Sequence, residues 1–315
     1  MTTSPPTTKG LAAALATVLL WASAFPTIRV GLADFDPVPL AALRFAIAAV
    51  PMLLWFAIRR PALPGPRDLA LFAACGLIGI ALYNVLLNTG QQTVSAGAAS
   101  FIVNTVPVIT VVLAVLFLGE RFGLRAWAGT LLSFGGVALI AMGQPGGLSF
   151  GAGATLVLAA AFCQGAFFTL QRSLIPRYGP TLCATLAIVA GALFLAPWLP
   201  VAARQAAEAS PSGLAAVIYL GLFPGGVGFA TWAVAQGAFG ASRAANFLYL
   251  VPPVAVVLAI GLNGELPGWL TLVGGAIAIA GVVVVNTRAK GPAPAASASA
   301  PAPVPGVAPR KETVR

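Results

Sequence analysis

Asn84 and Asn88 stand four residues apart in an otherwise apolar stretch, with Gln91 one turn further on, so a helix places all three on one face with Tyr83 at its border. Ser100, Asn104 and Pro107 share a face at the same kind of spacing, and so do Asn246, Tyr249 and Pro253. Gln164, Thr169 and Gln171 mark another apolar run, Trp232 and Gln236 a further one, and Trp21 lies well inside the first. Amides hydrogen-bond the polar ends of a ligand and rings accept its apolar side chain. Such a set, almost without charge, suits a small uncharged or zwitterionic molecule that is bound rather than broken.

Each residue also has a plainer reading. A single Asn or Gln in an apolar helix serves helix–helix packing as readily as ligand binding, and Gln91 and Gln92 are close to the end of their run, where interfacial polarity accounts for at least one of them. Trp21 and Trp232 sit inside their runs rather than at the interfacial positions that belt tryptophans occupy, which favours a cavity. Pro107, Pro252 and Pro253 interrupt backbone hydrogen bonding within apolar runs, either as kinks that shape and flex a cavity or as static packing. For Arg44, inside the second run, structural pairing or snorkelling is favoured over substrate contact; facing a cavity, it is the one cation able to hold a carboxylate. Glu120 and Glu265, at run ends, are expected to fix connectors by capping or ion pairing.

Other chemistries lack their residues. Histidine is absent, which removes His-based acid–base catalysis, Ser-His and Cys-His nucleophiles and the common zinc sites. Cys75, Cys163 and Cys183 lie singly in apolar runs, without a C-x-x-C pair for a disulfide framework, a metal or redox work. Lys9, Lys290 and Lys311 are all near the ends, and none follows a phosphate-binding glycine loop. The net charge of +10 comes without a basic stripe interleaved with aromatics, so nucleic acid is not an expected partner, nor is any cofactor or metal.

These residues must be positioned in lipid. Of the 315 residues 59% are apolar and 8% charged, against about 25% charged in soluble domains. A span needs about 20 apolar residues, and ten are predicted, at 10–30, 38–58, 68–90, 95–118, 124–143, 151–172, 180–200, 213–236, 241–263 and 268–286. With the N-terminus inside, Lys and Arg all fall on the inner side except Arg29 and Arg204, outside, and Arg44, within the second span; both termini are therefore expected to be cytoplasmic. Ala22-Ser23-Ala24 mimics a signal-peptide cleavage site, but a single lysine precedes it and the first span is expected to stay. The Ala/Pro/Ser-rich stretch 288–315 reads as a disordered cytoplasmic tail.

A shift of 145 residues superposes Val106-Pro107 on Val251-Pro252, Val111-Val112-Leu113-Ala114 on Val256-Val257-Leu258-Ala259, Gly119-Glu120 on Gly264-Glu265, Gly129 on Gly274 and Gly136-Val137 on Gly281-Val282. A shift of 142 sets Ala24-Phe25 and Thr27 on Ala166-Phe167 and Thr169. The chain thus divides into a tail 1–9, a first repeat 10–146, a second repeat 147–287 and the tail 288–315. Five spans per repeat is an odd number, so the repeats enter the membrane in opposite senses, an arrangement characteristic of secondary transporters that bind at the midplane. The expected fold is an all-α integral membrane protein of ten transmembrane helices, as two inverted five-helix repeats around a central cavity.

Trp21-Ala22-Ser23-Ala24-Phe25, Leu43-Arg44-Phe45, the proline before Gly119-Glu120-Arg121, and Pro252 with Gly264-Glu265 resemble the EamA-type drug/metabolite transporter superfamily, from about Gly10 to Asn286. The resemblance implies a ten-helix inner-membrane exporter of small metabolites working by alternating access, and it extends to the superfamily's aromatic amino-acid exporters without selecting that substrate. One departure is Leu266-Pro267 after the second Gly-Glu, where the first has a basic residue. Without Asp or Glu at the centre of a span, facilitated diffusion or exchange of amino acids is the leading expectation. A phosphorylated or drug-like substrate, or proton coupling, stays open beside it. An intramembrane protease lacks its catalytic groups, and a pure scaffold has no need of amides on so many faces. The expected partners are a small-molecule substrate and the bilayer; oligomeric state is open, with a monomer sufficient.

Overall fold

The computed structural model describes residues 8–94, 96–142, 151–254 and 269–286, and every regular element among them is helical. The 288–315 tail, the 146/147 repeat boundary and Gly264-Glu265 lie outside the described residues.

α1 (Thr8–Gly31) and α2 (Pro37–Arg59) are joined by a short turn. Pro37 opens α2 at its first position, where the missing N–H costs no helical bond. α3 (Pro66–Gly90) contains a π-helical segment, Gly76–Leu82. α4 (Ala96–Val103) and α5 (Val106–Leu118) together make one span broken at Asn104-Thr105, and Gly119 at φ 62° ends it in the left-handed region that glycine tolerates. α6 is Leu124–Met142.

α7 (Ala152–Leu195) and α8 (Leu199–Glu208) belong to one apolar stretch of 57 residues. A straight helix of that length would far exceed the roughly 30 Å hydrocarbon core. Gly179, at φ 75° and ψ 160°, breaks it into two limbs just before Pro180. α9 (Pro211–Phe239) carries a second π-helical segment, Gly221–Val227. α10 (Ala241–Asn246) follows Gly240 at φ 83°, a 3-10 turn covers Phe247–Leu250, and α11 is Trp269–Asn286. The described helices lie where the first eight expected spans, the beginning of the ninth and the tenth fall, and six of the apolar helical stretches are long enough to cross a membrane.

The surface is what lipid demands. Ile58, Leu116, Phe117, Leu124 and Trp269 are exposed large apolar side chains, which are unfavourable in water and in a bilayer face acyl chains. This is an all-α membrane protein.

Close packing relies on small residues, since apolar burial drives nothing between helices already in lipid. α6 and α11 approach so nearly that a Cβ on Gly136 would stand 2.5 Å from the Ala278 nitrogen, and one on Gly281 2.5 Å from the Ser133 nitrogen. Ser133 Oγ donates to the Ala278 carbonyl at 3.0 Å. Ser133 and Ala278 are 145 residues apart, the repeat shift, so equivalent positions meet each other, while Gly129 meets Gly281 and Gly136 meets Gly274. Such reciprocal contacts are the signature of a local twofold axis. The two π-helical segments, Gly76–Leu82 and Gly221–Val227, are also separated by 145 residues.

The prolines fall differently from the expectation of mid-span kinks. Pro107 is in the first turn of α5 and Pro252 in the first turn of the helix beginning at Val251, each just after the backbone has already left the α-helical path. At a first turn proline leaves no intrahelical bond unmade. Pro253 follows in that same turn and is half-buried.

Candidate functional site

Near the middle of the bundle a cavity is lined by Trp21, Ala24, Phe25 and Ile28 of α1, Arg44 of α2, Tyr83 and Leu87 of α3, Val103 and Asn104 at the α4/α5 break, Gln164 of α7, Phe229 of α9, and Leu248 and Val251 beside the 3-10 turn. The space open to the centre of a water molecule is about 40 Å³, room for a few waters at roughly 10–15 Å³ each.

Arg44 is 4% exposed. Its Nη1 donates to Asn84 Oδ1 at 2.9 Å and its Nε to the Leu220 carbonyl at 3.2 Å, and the guanidinium carbon sits 5.1 Å from the centre of the Phe45 ring. Asn84 Nδ2 donates in turn to the Ile80 carbonyl at 2.8 Å, inside the first π-helical segment. Among the described residues the ion pairs are Arg172 with Glu120 and Arg177 with Asp68, so Arg44 has no acidic partner there.

Aromatic rings build the adjoining wall. Trp21 lies nearly parallel to Phe168 with centroids 6.0 Å apart, touches Phe229 at 5.3 Å and Trp232 at 5.4 Å, and donates from Nε1 to the Pro224 carbonyl at 3.2 Å. Phe168 and Trp232 are 4.1 Å apart.

Of the ten residues singled out as substrate-binding in the sequence, Trp21, Tyr83, Asn104 and Gln164 line the cavity and six do not. Asn84 stands behind Arg44 as its acceptor. Asn88 ties α3 to the start of α2 by donating to the Pro37 carbonyl at 3.0 Å. Ser100 is one turn below Asn104, whose Nδ2 donates to its carbonyl at 2.6 Å. Trp232 backs the Trp21 stack, Asn246 Oδ1 accepts from Thr130 at 2.8 Å, and Tyr249 is wholly buried. The cause is packing: in a bundle of small-residue helices most polar faces meet another helix, and the lumen takes only the few that point at it. Gln91 is buried at 1% exposure rather than interfacial, with Nε2 3.5 Å from the Phe25 carbonyl. The lining residues that sequence reasoning missed, among them Phe25, Leu87 and Phe229, are apolar residues within apolar runs and give no signal of their own.

Residues 8–142 and 151–287 each match the EamA-like transporter family. The chain belongs to that family. A protein of Streptantibioticus cattleyicolor described as a probable terminal-alkyne amino-acid exporter is 40% identical over 89% of this chain and 94% of its own length. An uncharacterised transporter of Bacillus subtilis, YdfC, is 36% identical over 84% of this chain and 86% of its own. A solved crystal structure at 21% identity superposes with a TM-score of 0.72 over 89% of this chain and 98% of that one, which shows a common fold. The chain is thus a membrane transporter and not an enzyme.

In this EamA-like transporter four acidic side chains tie one half of the chain to the other at both ends of the bundle. At the end holding the α2–α3 connector, Asp68 Oδ2 accepts from Arg177 Nη1 at 2.7 Å and from the Tyr178 hydroxyl at 2.6 Å. At the same end Glu120 accepts from the backbone N–H of Ala241 and Ser242 at 3.1 and 3.2 Å and from Ser242 Oγ at 2.6 Å, with Arg172 at 3.9 Å. At the end holding the α1–α2 turn, Asp34 accepts from Ser210 Oγ at 2.6 Å and Asp36 from Gln205 Nε2 at 2.7 Å. Glu265 lies outside the described residues.

Proposed function

We propose that the chain is a secondary carrier that exports amino acids and similar small neutral or zwitterionic metabolites across a bacterial inner membrane by alternating access. The observation that carries this reading is a central cavity walled by helices of both halves, with bonds between the halves at both ends of the bundle: Asp68 and Glu120 at one, Asp34 and Asp36 at the other. The cavity offers about 40 Å³ to water centres, so a larger ligand widens it, and parting one set of ties is the movement that does so. Binding that lowers the cost of parting one end at a time is what alternating access requires.

Two inverted five-span repeats, at 10–146 and 147–287, supply the two rocking bodies. The 145-residue separation of the π-helical segments and the reciprocal contacts of α6 and α11 support that division. Both termini are placed on the cytoplasmic side by the distribution of Lys and Arg.

Movement runs down the substrate gradient or by exchange. The described residues lining the cavity include no carboxylate to carry a proton. A phosphorylated substrate fits less well, since a phosphate calls for a clamp of cations and Arg44 is the one cation among the described lining residues. The relative described as a probable terminal-alkyne amino-acid exporter supports the amino-acid class.

The test is counterflow in proteoliposomes loaded with one unlabelled amino acid, with labelled amino acid outside and no ion gradient. Accumulation of label against the matched interior load, unchanged by a protonophore, is the expected result. Net uptake that is driven by an imposed pH gradient and abolished by a protonophore would establish proton coupling instead.

A further inference from the structure

We infer that the cavity recognises the two charged ends of an α-amino acid at separate places, with Arg44 holding the carboxylate and the side-chain oxygens of Asn104 and Gln164 accepting the ammonium. This rests on the amino-acid transport reading and assigns its atoms.

Arg44 supplies the first half of the argument. A guanidinium has five N–H donors. The described contacts of Arg44 use Nε and Nη1, both on neutral oxygens, and no acid stands beside it among the described residues. A cation 96% buried inside a membrane bundle is costly unless an anion meets it. Asn84 and the Leu220 carbonyl fix the side chain from behind, which leaves the remaining edge of the fork to an incoming acceptor in the cavity that Arg44 lines. Paired parallel N–H groups fit a carboxylate better than a single-point acceptor.

The second half is a pair of unfilled acceptors. Asn104 Oδ1 and Gln164 Oε1 are buried, with the residues 3% and 2% exposed, and among the described residues neither oxygen receives a hydrogen bond. The Asn104 amide is oriented by its Nδ2 bond to the Ser100 carbonyl, so the oxygen is the free end. Among the described residues nine buried side-chain polar atoms lack a hydrogen-bond partner, and these two are the ones whose residues belong to the cavity wall. They ask for a ligand that donates.

One cation and two acceptors complement one anion and one donor. A phosphate brings only oxygens, which would face the Asn104 and Gln164 oxygens unfavourably. A simple amine would set its positive charge against Arg44. A zwitterion satisfies both places, while Trp21, Phe25 and Phe229 receive its side chain.

The experiment uses wild-type protein in proteoliposomes. Each of the twenty protein amino acids is tested for counterflow, and the best substrate is then challenged with three analogues: its carboxamide, its decarboxylated amine and its deaminated acid. All three are expected to compete more weakly than the amino acid by at least roughly tenfold, because each leaves a buried polar group unmet. Arg44→Gln is expected to lose exchange, with Arg44→Lys retaining a part. Asn104→Leu and Gln164→Leu are expected to narrow the preference for the amino acid over its deaminated analogue while leaving the carboxamide excluded. An amide or amine that competes as well as the amino acid overturns the assignment of Arg44, whether or not the variants fold. A deaminated acid that competes equally overturns that of Asn104 and Gln164. Absence of counterflow with all twenty amino acids overturns the amino-acid reading on which this assignment rests.

Discussion

The hydroxyl of Ser242 donates to Glu120 Oε2 at 2.6 Å across 122 residues of chain. The same carboxylate caps the first backbone N–H groups of α10 and lies 3.9 Å from Arg172, so one side chain joins the α5–α6 connector to the start of the ninth span and the end of the sixth. Glu120→Ala leaves those N–H groups without an acceptor and is expected to destabilise the fold by about 1–2 kcal/mol, the usual range for losing a helix cap. Glu120→Gln keeps one acceptor oxygen and loses less. Melting curves in detergent decide this: an Ala variant that melts with the wild type would show that the cap adds nothing.

The α6/α11 contact gives a sharper pair. Gly136 and Gly281 have backbone of the facing helix 2.5 Å from where a Cβ would lie, whereas a Cβ on Gly135, one residue away, meets nothing within 4 Å. Leucine at Gly136 or Gly281 is expected to force the helices apart and to cost folded yield, while Gly135→Leu is expected to be tolerated and to face lipid. Monodisperse protein recovered by size exclusion is the readout. Equal loss at Gly135 and Gly136 would contradict the packing described.

Much of this architecture was open to reading from the sequence because lipid punishes polarity so strictly: apolar runs mark spans, and the Gly-Glu and proline repeats betray the duplication. The site was only partly readable, for reasons visible in single residues. Each π-helical segment inserts an extra residue and turns the helix beyond it, so Asn84 and Asn88, which follow Gly76–Leu82, point where uniform helical spacing does not say. The break at Asn104-Thr105 likewise divides the face that Ser100, Asn104 and Pro107 were expected to share. Arg44 shows the third limit. Its contacts with Asn84 and Leu220 bear out no single role, since the same side chain is held from behind and borders the lumen, a combination that sequence alone treats as alternatives.

The tryptophan stack carries a separate prediction. Trp232 is 1% exposed and packs 4.1 Å from Phe168 and 5.4 Å from Trp21. Trp232→Ala removes the backing of the cavity wall and is expected to cost about 3–5 kcal/mol. Trp21→Phe keeps the ring face but loses the 3.2 Å bond to the Pro224 carbonyl, inside the second π-helical segment. It is expected to cost only about 1 kcal/mol. Thermal unfolding by tryptophan fluorescence or light scattering separates the two; a Trp21→Phe loss as large as that of Trp232→Ala would mean that the hydrogen bond, not the stack, holds the wall.

Under the alternating-access proposal the ties at the two ends of the bundle oppose each other, and that opposition can be measured from either side of the membrane. Asp68 holds Arg177 and Tyr178 at one end, and Asp36 holds Gln205 at the other. Removing a tie lowers the cost of opening its own end and leaves the other shut, so Asp68→Ala and Asp36→Ala bias the same equilibrium in opposite directions. With Cys75, Cys163 and Cys183 replaced by serine, a single cysteine at Tyr83 reports from the cavity wall. A membrane-impermeant thiol reagent applied to sealed vesicles of one orientation is expected to label it faster in one Ala variant and slower in the other than in the parent, with the order reversed in vesicles of the opposite orientation. If both substitutions change labelling in the same sense from both sides, the carboxylates serve stability alone and the two ends do not compete.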